Sequence, residues 1–425
     1  MATPTQLKAK DIFTPGRYPT WTLVREHLEE KSKTLHDALD DGSMLVSVSG
    51  PSKSGKTVFI ENAIGSENLI QITGAGIKSA DDAWLRVFDI IGTPVSKTVE
   101  NTKAFSGTVG AKASAGASVI LAKTAGEASV TGGYSSTTSN TGDISINFLQ
   151  LLIKELANTD YVIFIDDFHY IHRSIQSDLA RQIKEAIRNG VKFICASVPY
   201  HSDDVIRSNP DLRGRIVSID FDYWGDEVLE KIAIKGFAKA NVSCRRPMLD
   251  SFVSEAAGSP QLMQYLCLNA CYEIGVRVIG DESVDLVHDQ SLLEKICQRT
   301  VLSTDYSSVV KKMIEGPKTR GSDRKIHMSN VGWQGDVYLF LLTALSLDPP
   351  QLNFRYQPLV NRISSLCLNE SPSGSSITSA CAHSVSIANG MAHDSILEWD
   401  GENDVFDIRD PYFLFYIRWS EALTR

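Results

Sequence analysis

No stretch of this 425-residue sequence approaches the ~18 consecutive apolar residues that a bilayer-spanning helix requires. The first ten residues also lack the apolar centre of a signal peptide, so a cytoplasmic protein with no membrane partner is expected. Cysteine is sparse and unpatterned. Cys195, Cys244, Cys267, Cys271, Cys297, Cys367 and Cys381 are odd in number and contain no CxxC pair, which excludes a disulfide framework and a zinc site. Cys267 and Cys271, one helical turn apart in an apolar stretch, read as small buried hydrophobes. Basic residues are outnumbered, 42 Lys and Arg against 51 Asp and Glu, which argues against a protein that coats nucleic acid non-specifically but allows a local basic patch. Residues 92–143 have few large apolar side chains and are dominated by Gly, Ala, Ser and Thr. Such a segment buries little area to offset the entropy of ordering it. It reads either as a flexible insertion or, since part of it alternates small apolar with small polar residues, as a hairpin for assembly or effector contact.

What is present is a rhythm of strands and helices. Leu23, Val24, Leu28, Leu35 and Leu39 recur at helical spacing and predict an amphipathic helix over 22–40. Strands are expected at 44–49, 69–72, 161–166, 191–198 and 215–221, with helices at 56–63, 79–91, 172–189 and 203–208 between them. β-branched strands separated by helices imply a parallel sheet covered on both faces, and residues 1–225 are assigned to one α/β domain. Helical patterns then fill 226–315, and a polar, basic stretch at 316–332 (Lys318, Arg320, Arg324, Lys325) reads as a linker. In 333–425, helices near 335–346, 355–366 and 377–391 precede a hairpin-like stretch at 395–409 and an aromatic C-terminal helix, which suggests a winged helix.

Gly50-Pro51-Ser52-Lys53-Ser54-Gly55-Lys56-Thr57 matches GxxxxGK[ST] in full, after an apolar strand and before a helix. Gly50 and Gly55 let the loop curl until its amides converge on phosphate oxygens, and the next helix points its positive end at the same anion. Lys56 supplies charge to the β- and γ-phosphates of ATP, and the Thr57 hydroxyl ligates Mg²⁺. Tyr161-Val162-Ile163-Phe164-Ile165-Asp166-Asp167 supplies the apolar strand ending in carboxylates. Asp166 would hold the metal through water, while Asp167 either activates the attacking water as a general base or caps the helix at 172–189. Adjacent carboxylates beside a cation can both stay ionised. His169 and His172 are expected to make structural hydrogen bonds. Ser197, ending the next strand, either senses the γ-phosphate or is a plain strand-end serine. Arg213 and Arg215 precede the last strand, and Arg215 is the candidate for a finger reaching a neighbouring subunit's nucleotide, against a salt bridge as the alternative.

With both motifs in place, the order of parts resembles the AAA+ and STAND group of P-loop ATPases. The resemblance implies an ASCE-type parallel sheet with helices on both faces, a helical lid and a C-terminal winged-helix domain. Trp21-Thr22-Leu23-Val24-Arg25-Glu26 is similar to the F-x-G-R-E box of origin-recognition and STAND ATPases but lacks its glycine; the similarity implies that Arg25 lies on the adenine side. Gly258-Ser259-Pro260 resembles the Gly-x-Pro motif of STAND proteins, in which the proline packs on the nucleotide. Pro260 is also well suited simply to open a helix. No arginine stands at the lid position, which favours STAND over ordinary AAA+. Phe406 to Tyr416 resembles the end of the winged-helix domain in archaeal-type STAND ATPases. The opening, from Asp11 to Gly16, looks like that of small bacterial ATPases encoded among defence genes.

Two functions compete. One is a signalling ATPase, a homo-oligomer that uses slow hydrolysis to reset a switch acting on a separate effector protein. The other is a DNA-handling ATPase resembling origin-recognition or transposition-helper proteins. Residues 331–425 carry five basic residues against eleven acidic ones, a poor surface for phosphates, so nucleic acid is not the favoured partner. The basic loop 318–325 is what keeps that alternative open.

Overall fold

The computed structural model describes residues 6–95, 147–198, 214–318, 324–391 and 395–423. The expected helix at 203–208, Arg213, Arg320 and most of the 92–143 segment lie outside them. The chain forms two compact units. One holds residues up to Glu29, Pro51–Val58 and everything from Phe221 onward; the other holds Glu30–Gly50 and Phe59–Asp220.

The second unit is an α/β layer structure around five parallel strands: β1 (Leu45–Ser49), β2 (Leu69–Thr73), β3 (Val162–Asp166), β4 (Lys192–Ser197) and β5 (Ile216–Asp220). Their spatial order is β2-β3-β4-β1-β5, so β4 separates the strand before the glycine-rich loop from the strand that ends in carboxylates. Parallel pairing requires crossovers. The helices Lys56–Ile64, Ala80–Ile91, Phe148–Leu156 and Arg173–Arg188 provide them. Leu45, Ile70, Ile72, Ile163, Ile165, Phe193 and Cys195 pack on one face with Trp84, Phe88, Leu152, Leu179 and Ile183. The alternating residues Val46, Val48, Phe164, Ile194 and Ala196 are equally buried, so the other face is covered too. Burial on both faces is why these strands are continuous apolar runs.

Ser79 caps the helix Ala80–Ile91 by accepting from the Asp82 amide at 3.1 Å, and Gly92 (φ 73°) ends it in the left-handed region. The amphipathic helix begins later than its apolar spacing predicts. A 3₁₀ turn covers Glu26–Leu28 and the α-helix runs Glu29–Asp41. The Leu23 carbonyl instead accepts from the Lys235 ammonium at 2.8 Å, and residues 22–25 stay outside the helix.

The first unit is mostly helical: Asp226–Lys239, Arg246–Ala256, Pro260–Glu273, Gln290–Val301 and Ser307–Glu315. A short parallel pair, Val242–Cys244 with Val284–Leu286, escapes the sequence reading because three residues are too few to show a period. The N-terminal segment is tied to the helix Pro260–Glu273. The Thr14 amide donates to Gln264 at 3.2 Å, and the Gln264 amide donates to the Thr22 hydroxyl at 2.6 Å. After the helix Val337–Leu345, strand Asn353–Arg355 and helices Tyr356–Leu366 and Gly374–Met391 come strands Leu397–Asp400 and Val405–Ile408. The three strands form an antiparallel sheet with Val405–Ile408 central, followed by the helix Pro411–Trp419. Arg418 and Glu255, 7% and 8% exposed, form a buried ion pair, and the Trp419 indole donates to Glu255 at 2.6 Å. The stretch expected as a loop at 316–332 includes a strand, His327–Met328, paired with Gln334–Gly335. Arg324 is anchored there by Asp336 at 2.5 Å and the Glu315 carbonyl at 2.8 Å.

Cys267 and Cys271 are fully buried, and burial pushes the Cys271 thiol up to about 12. They are inert packing groups, as their spacing suggests. Among the described residues no helix is long and apolar enough to cross a membrane.

Candidate nucleotide-binding site

In the α/β unit, the candidate groups gather at the C-terminal rim of the sheet. Register pairs Thr73 with Asp166 and Ser49 with Ser197, and the Gly50 amide donates to the Ser197 carbonyl at 3.3 Å. Asp166, Ser197 and the first residue of the glycine-rich loop therefore share one edge, where open α/β sheets bind ligands. Asp166 Oδ1 accepts from the Asp167 amide at 3.0 Å. Asp167 sits in the left-handed region (φ 54°, ψ 45°) and opens a 3₁₀ turn, Phe168–Tyr170. It does not cap the following helix. His172 does, accepting from the Ser174 amide at 3.4 Å, while the His169 ring packs on Tyr170 at 4.3 Å. Gly74 follows β2 with its amide on the Asp166 carbonyl at 2.7 Å. A Cβ at Gly74 would stand 2.4 Å from the Asp167 carbonyl oxygen, so only glycine lets the two turns approach.

Arg215 lies at the other end of the sheet. It immediately precedes β5, and its carbonyl accepts from the Leu45 amide at 2.8 Å. It is exposed and lines a surface cleft with Arg188, Ser43, Asn158 and Asn189. A five-residue strand spans about 16 Å, so Arg215 is remote from the Asp166 rim of its own sheet.

In the helical unit, the segment Pro51–Thr57 adopts the curled geometry its glycines predict. Lys53 (φ 63°) and Gly55 (φ 94°) are left-handed, an alternation that turns successive amides inward. Lys56 is 8% exposed, and its ammonium donates to the Pro51 carbonyl at 2.7 Å. Lys56 and Thr57 open the nine-residue helix Lys56–Ile64. The Ser54 hydroxyl is buried with no hydrogen-bond partner among the described residues. An orphaned hydroxyl, a buried ammonium and inward amides form a set of donors, which suits a phosphate chain. Thr57 carries a hydroxyl in the helical unit, and Asp166 a carboxylate in the α/β unit. Among the described residues there is no cluster of three or more His, Cys, Asp or Glu able to hold a metal.

Several contacts here are not visible in the motifs. The Trp224 indole donates to the Ser54 carbonyl at 2.9 Å, its amide donates to the Gly258 carbonyl at 2.9 Å, and its ring meets His27 edge-on at 4.4 Å. The segment around Arg25 thus reaches the loop through His27, while Arg25 itself is exposed. Pro260 is buried at the first turn of its helix, with Ser259 as cap. Gly258 (φ 81°) presses on Tyr223, where a Cβ would meet the tyrosine Cβ at 2.5 Å. The Tyr223 hydroxyl donates to the Arg409 carbonyl at 2.7 Å. Burial, then Asp410, Asp407 and Asp222, push that phenol up, so it stays a neutral donor. The signal that could have found this region is the aromatic pair Tyr223-Trp224 before Gly225, three consecutive residues that open the helical unit.

No family model matches this sequence, and no curated protein matches it. Among solved structures, the ORC2 protein of Aeropyrum pernix, determined as ADPNP-ADP complexes, superposes over 98% of each chain with a TM-score of 0.50 at 11% identity. A Walker-type ATPase of Pyrococcus abyssi covers 98% of this chain and 99% of its own at a TM-score of 0.49 and 12% identity. Cdc6p of Pyrobaculum aerophilum covers 97% of both at 0.43 and 13%. The likeness to the Aeropyrum protein shows a shared fold, an α/β core with a central five-stranded parallel sheet flanked by helices.

Proposed function

We propose that this chain is a P-loop ATPase of AAA+ and STAND type that binds ATP·Mg²⁺ through residues 50–57 and hydrolyses it slowly, as a switch governing self-assembly or a separate effector protein. One observation carries the reading: a complete GxxxxGK[ST] loop follows the strand that β4 separates from the Asp166 strand. The nucleotides in the Aeropyrum structure are consistent with it. Amides within 52–55, the Ser54 hydroxyl and the Lys56 ammonium bind the phosphates. Thr57 and Asp166 hold the metal, which when bound draws negative charge from the transferred phosphoryl group. Asp167 takes the proton of the attacking water, and Ser197 orients it from the neighbouring strand. His27 and Trp224 join Arg25 and Pro260 as candidates for the base side. The C-terminal sheet and helices, in the order helix, strand, two helices, two strands, are a winged helix used for protein contact and nucleotide sensing. Anti-phage defence is the role that the N-terminal resemblance suggests.

The alternative is a DNA-handling ATPase of the origin-recognition or transposition-helper type, which the fold shared with the Aeropyrum ORC2 protein fits as well; the charge of the basic loop weighs against it. Two of the basic residues at 318–325 are already paired, Arg324 with Asp336 and Lys325 with Glu370 at 2.6 Å.

Gly74→Ala is expected to leave ATP affinity within about twofold while slowing hydrolysis by ~10- to 100-fold, because it displaces Asp167. Equilibrium binding beside single-turnover hydrolysis measures both, and an unchanged rate would remove Asp167 from the reaction. For Arg215, placed far from its own rim, the site of action is another copy. Mixing Arg215→Ala protein with Lys56→Ala protein should restore hydrolysis that neither has alone, since one copy keeps a nucleotide site and the other a finger. Absence of any rescue rules out the inter-subunit role.

A further inference from the structure

We propose that Asp410 is a positioning residue for the glycine-rich loop: its carboxylate holds the Lys53 ammonium, and phosphate binding must draw that ammonium away. This inference rests on the nucleotide reading above and adds a specific coupling to it. Lys53 occupies a variable position of the motif, between the two glycines. It is a non-glycine residue at φ 63°, a conformation that its surroundings must impose. Its ammonium lies 3.7 Å from Asp410 Oδ2 and 4.1 Å from the centre of the Tyr412 ring. Carboxylate and aromatic face together make a cation seat.

Asp410 is built into the fold rather than displayed on it. Its side chain is 14% exposed, it caps the helix Pro411–Trp419 by accepting from the Tyr412 amide at 2.9 Å, and it accepts the Tyr306 hydroxyl. The adjacent Arg409 carbonyl is held by Tyr223, whose neighbour Trp224 donates to the Ser54 carbonyl. Two successive loop residues, Lys53 and Ser54, are thereby fastened to the start of the C-terminal helix and to the segment opening Asp226–Lys239. A triphosphate carries several negative charges and competes with one carboxylate for Lys53. Coupling of this kind is reciprocal: the pair weakens phosphate binding by the factor by which phosphate weakens the pair. The state of the loop is thus transmitted to the C-terminal helix.

Asp410→Asn isolates the charge, because asparagine still caps the helix through its oxygen while its amide group donates to the Tyr306 oxygen, which turns from donor to acceptor. Calorimetric titration of ATP and of adenosine into the full chain should show ATP binding about fivefold more tightly to Asp410→Asn than to wild type, with adenosine unchanged. In a Lys53→Met background the Asp410→Asn effect should vanish. Equal ATP affinities in wild type and Asp410→Asn, or the same gain without Lys53, overturn the proposal while leaving the ATPase reading intact. Wild-type protein that binds no ATP overturns both. If Asp410→Asn does not fold, Lys53→Glu provides the second arm. Facing carboxylates should speed hydrogen exchange at Tyr412–Phe415, and unchanged exchange there contradicts the coupling.

Discussion

Lys56→Ala protein should bind ATP at least ~100-fold more weakly than wild type, with its thermal stability little changed. Lys56 is 8% exposed, and its ammonium rests on the Pro51 carbonyl of its own loop. A charge so shielded from water interacts strongly with an incoming anion, and a charge-assisted bond to a phosphate oxygen in such surroundings contributes several times what a surface pair does. Alanine removes the charge and opens the centre of the loop to water. The amides and the helix end remain, so residual weak binding of inorganic phosphate is compatible with the account. Fluorescence titration with a labelled nucleotide measures the loss, and full retention of ATP affinity would refute the assignment of 50–57.

Asp167→Asn should keep ATP affinity within a few-fold and lower turnover by ~10²- to 10⁴-fold, the range for removing a general base. The substitution conserves shape, and asparagine tolerates the left-handed backbone at φ 54°. The neighbouring Asp166 still anchors the Asp167 amide, so the turn should survive. What disappears is the capacity to take a proton. The alternative role, capping the next helix, belongs to His172, which leaves Asp167 no structural duty at that helix. Single-turnover hydrolysis with saturating ATP separates binding from chemistry, and an undiminished rate would exclude Asp167 as the base.

The sheet was legible because its strands are buried on both faces. Val46, Ile163, Phe164 and Ile194 had to be apolar irrespective of which way they point, and the loop after β1 is a motif whose spacing is dictated by phosphate geometry. The opening of the helix at Pro260 was legible for a similar reason, since a residue with a fixed backbone angle and no amide suits a first helical turn. What escaped depends on contacts between residues distant in sequence. Lys53 and Asp410 are 357 positions apart by their numbering, and nothing local marks either as a partner. Trp224 looks like an ordinary aromatic until its indole is found on the Ser54 carbonyl. The late start of the helix at Glu29 has the same origin, since Lys235 takes a carbonyl that local spacing assigns to the helix. Arg215 is the opposite case. Its position before β5 and its candidacy for a neighbouring subunit's nucleotide were readable, but its distance from the Asp166 rim follows only from strand direction.

The most direct test is a crystal structure of the full chain with Mg²⁺ and a slowly hydrolysed ATP analogue. The triphosphate should be enclosed by amides within 52–55, with Lys56 on the β- and γ-phosphates and the metal between Thr57 and a water held by Asp166. A nucleotide bound elsewhere, or one that Lys56 and Asp166 do not share, would contradict it.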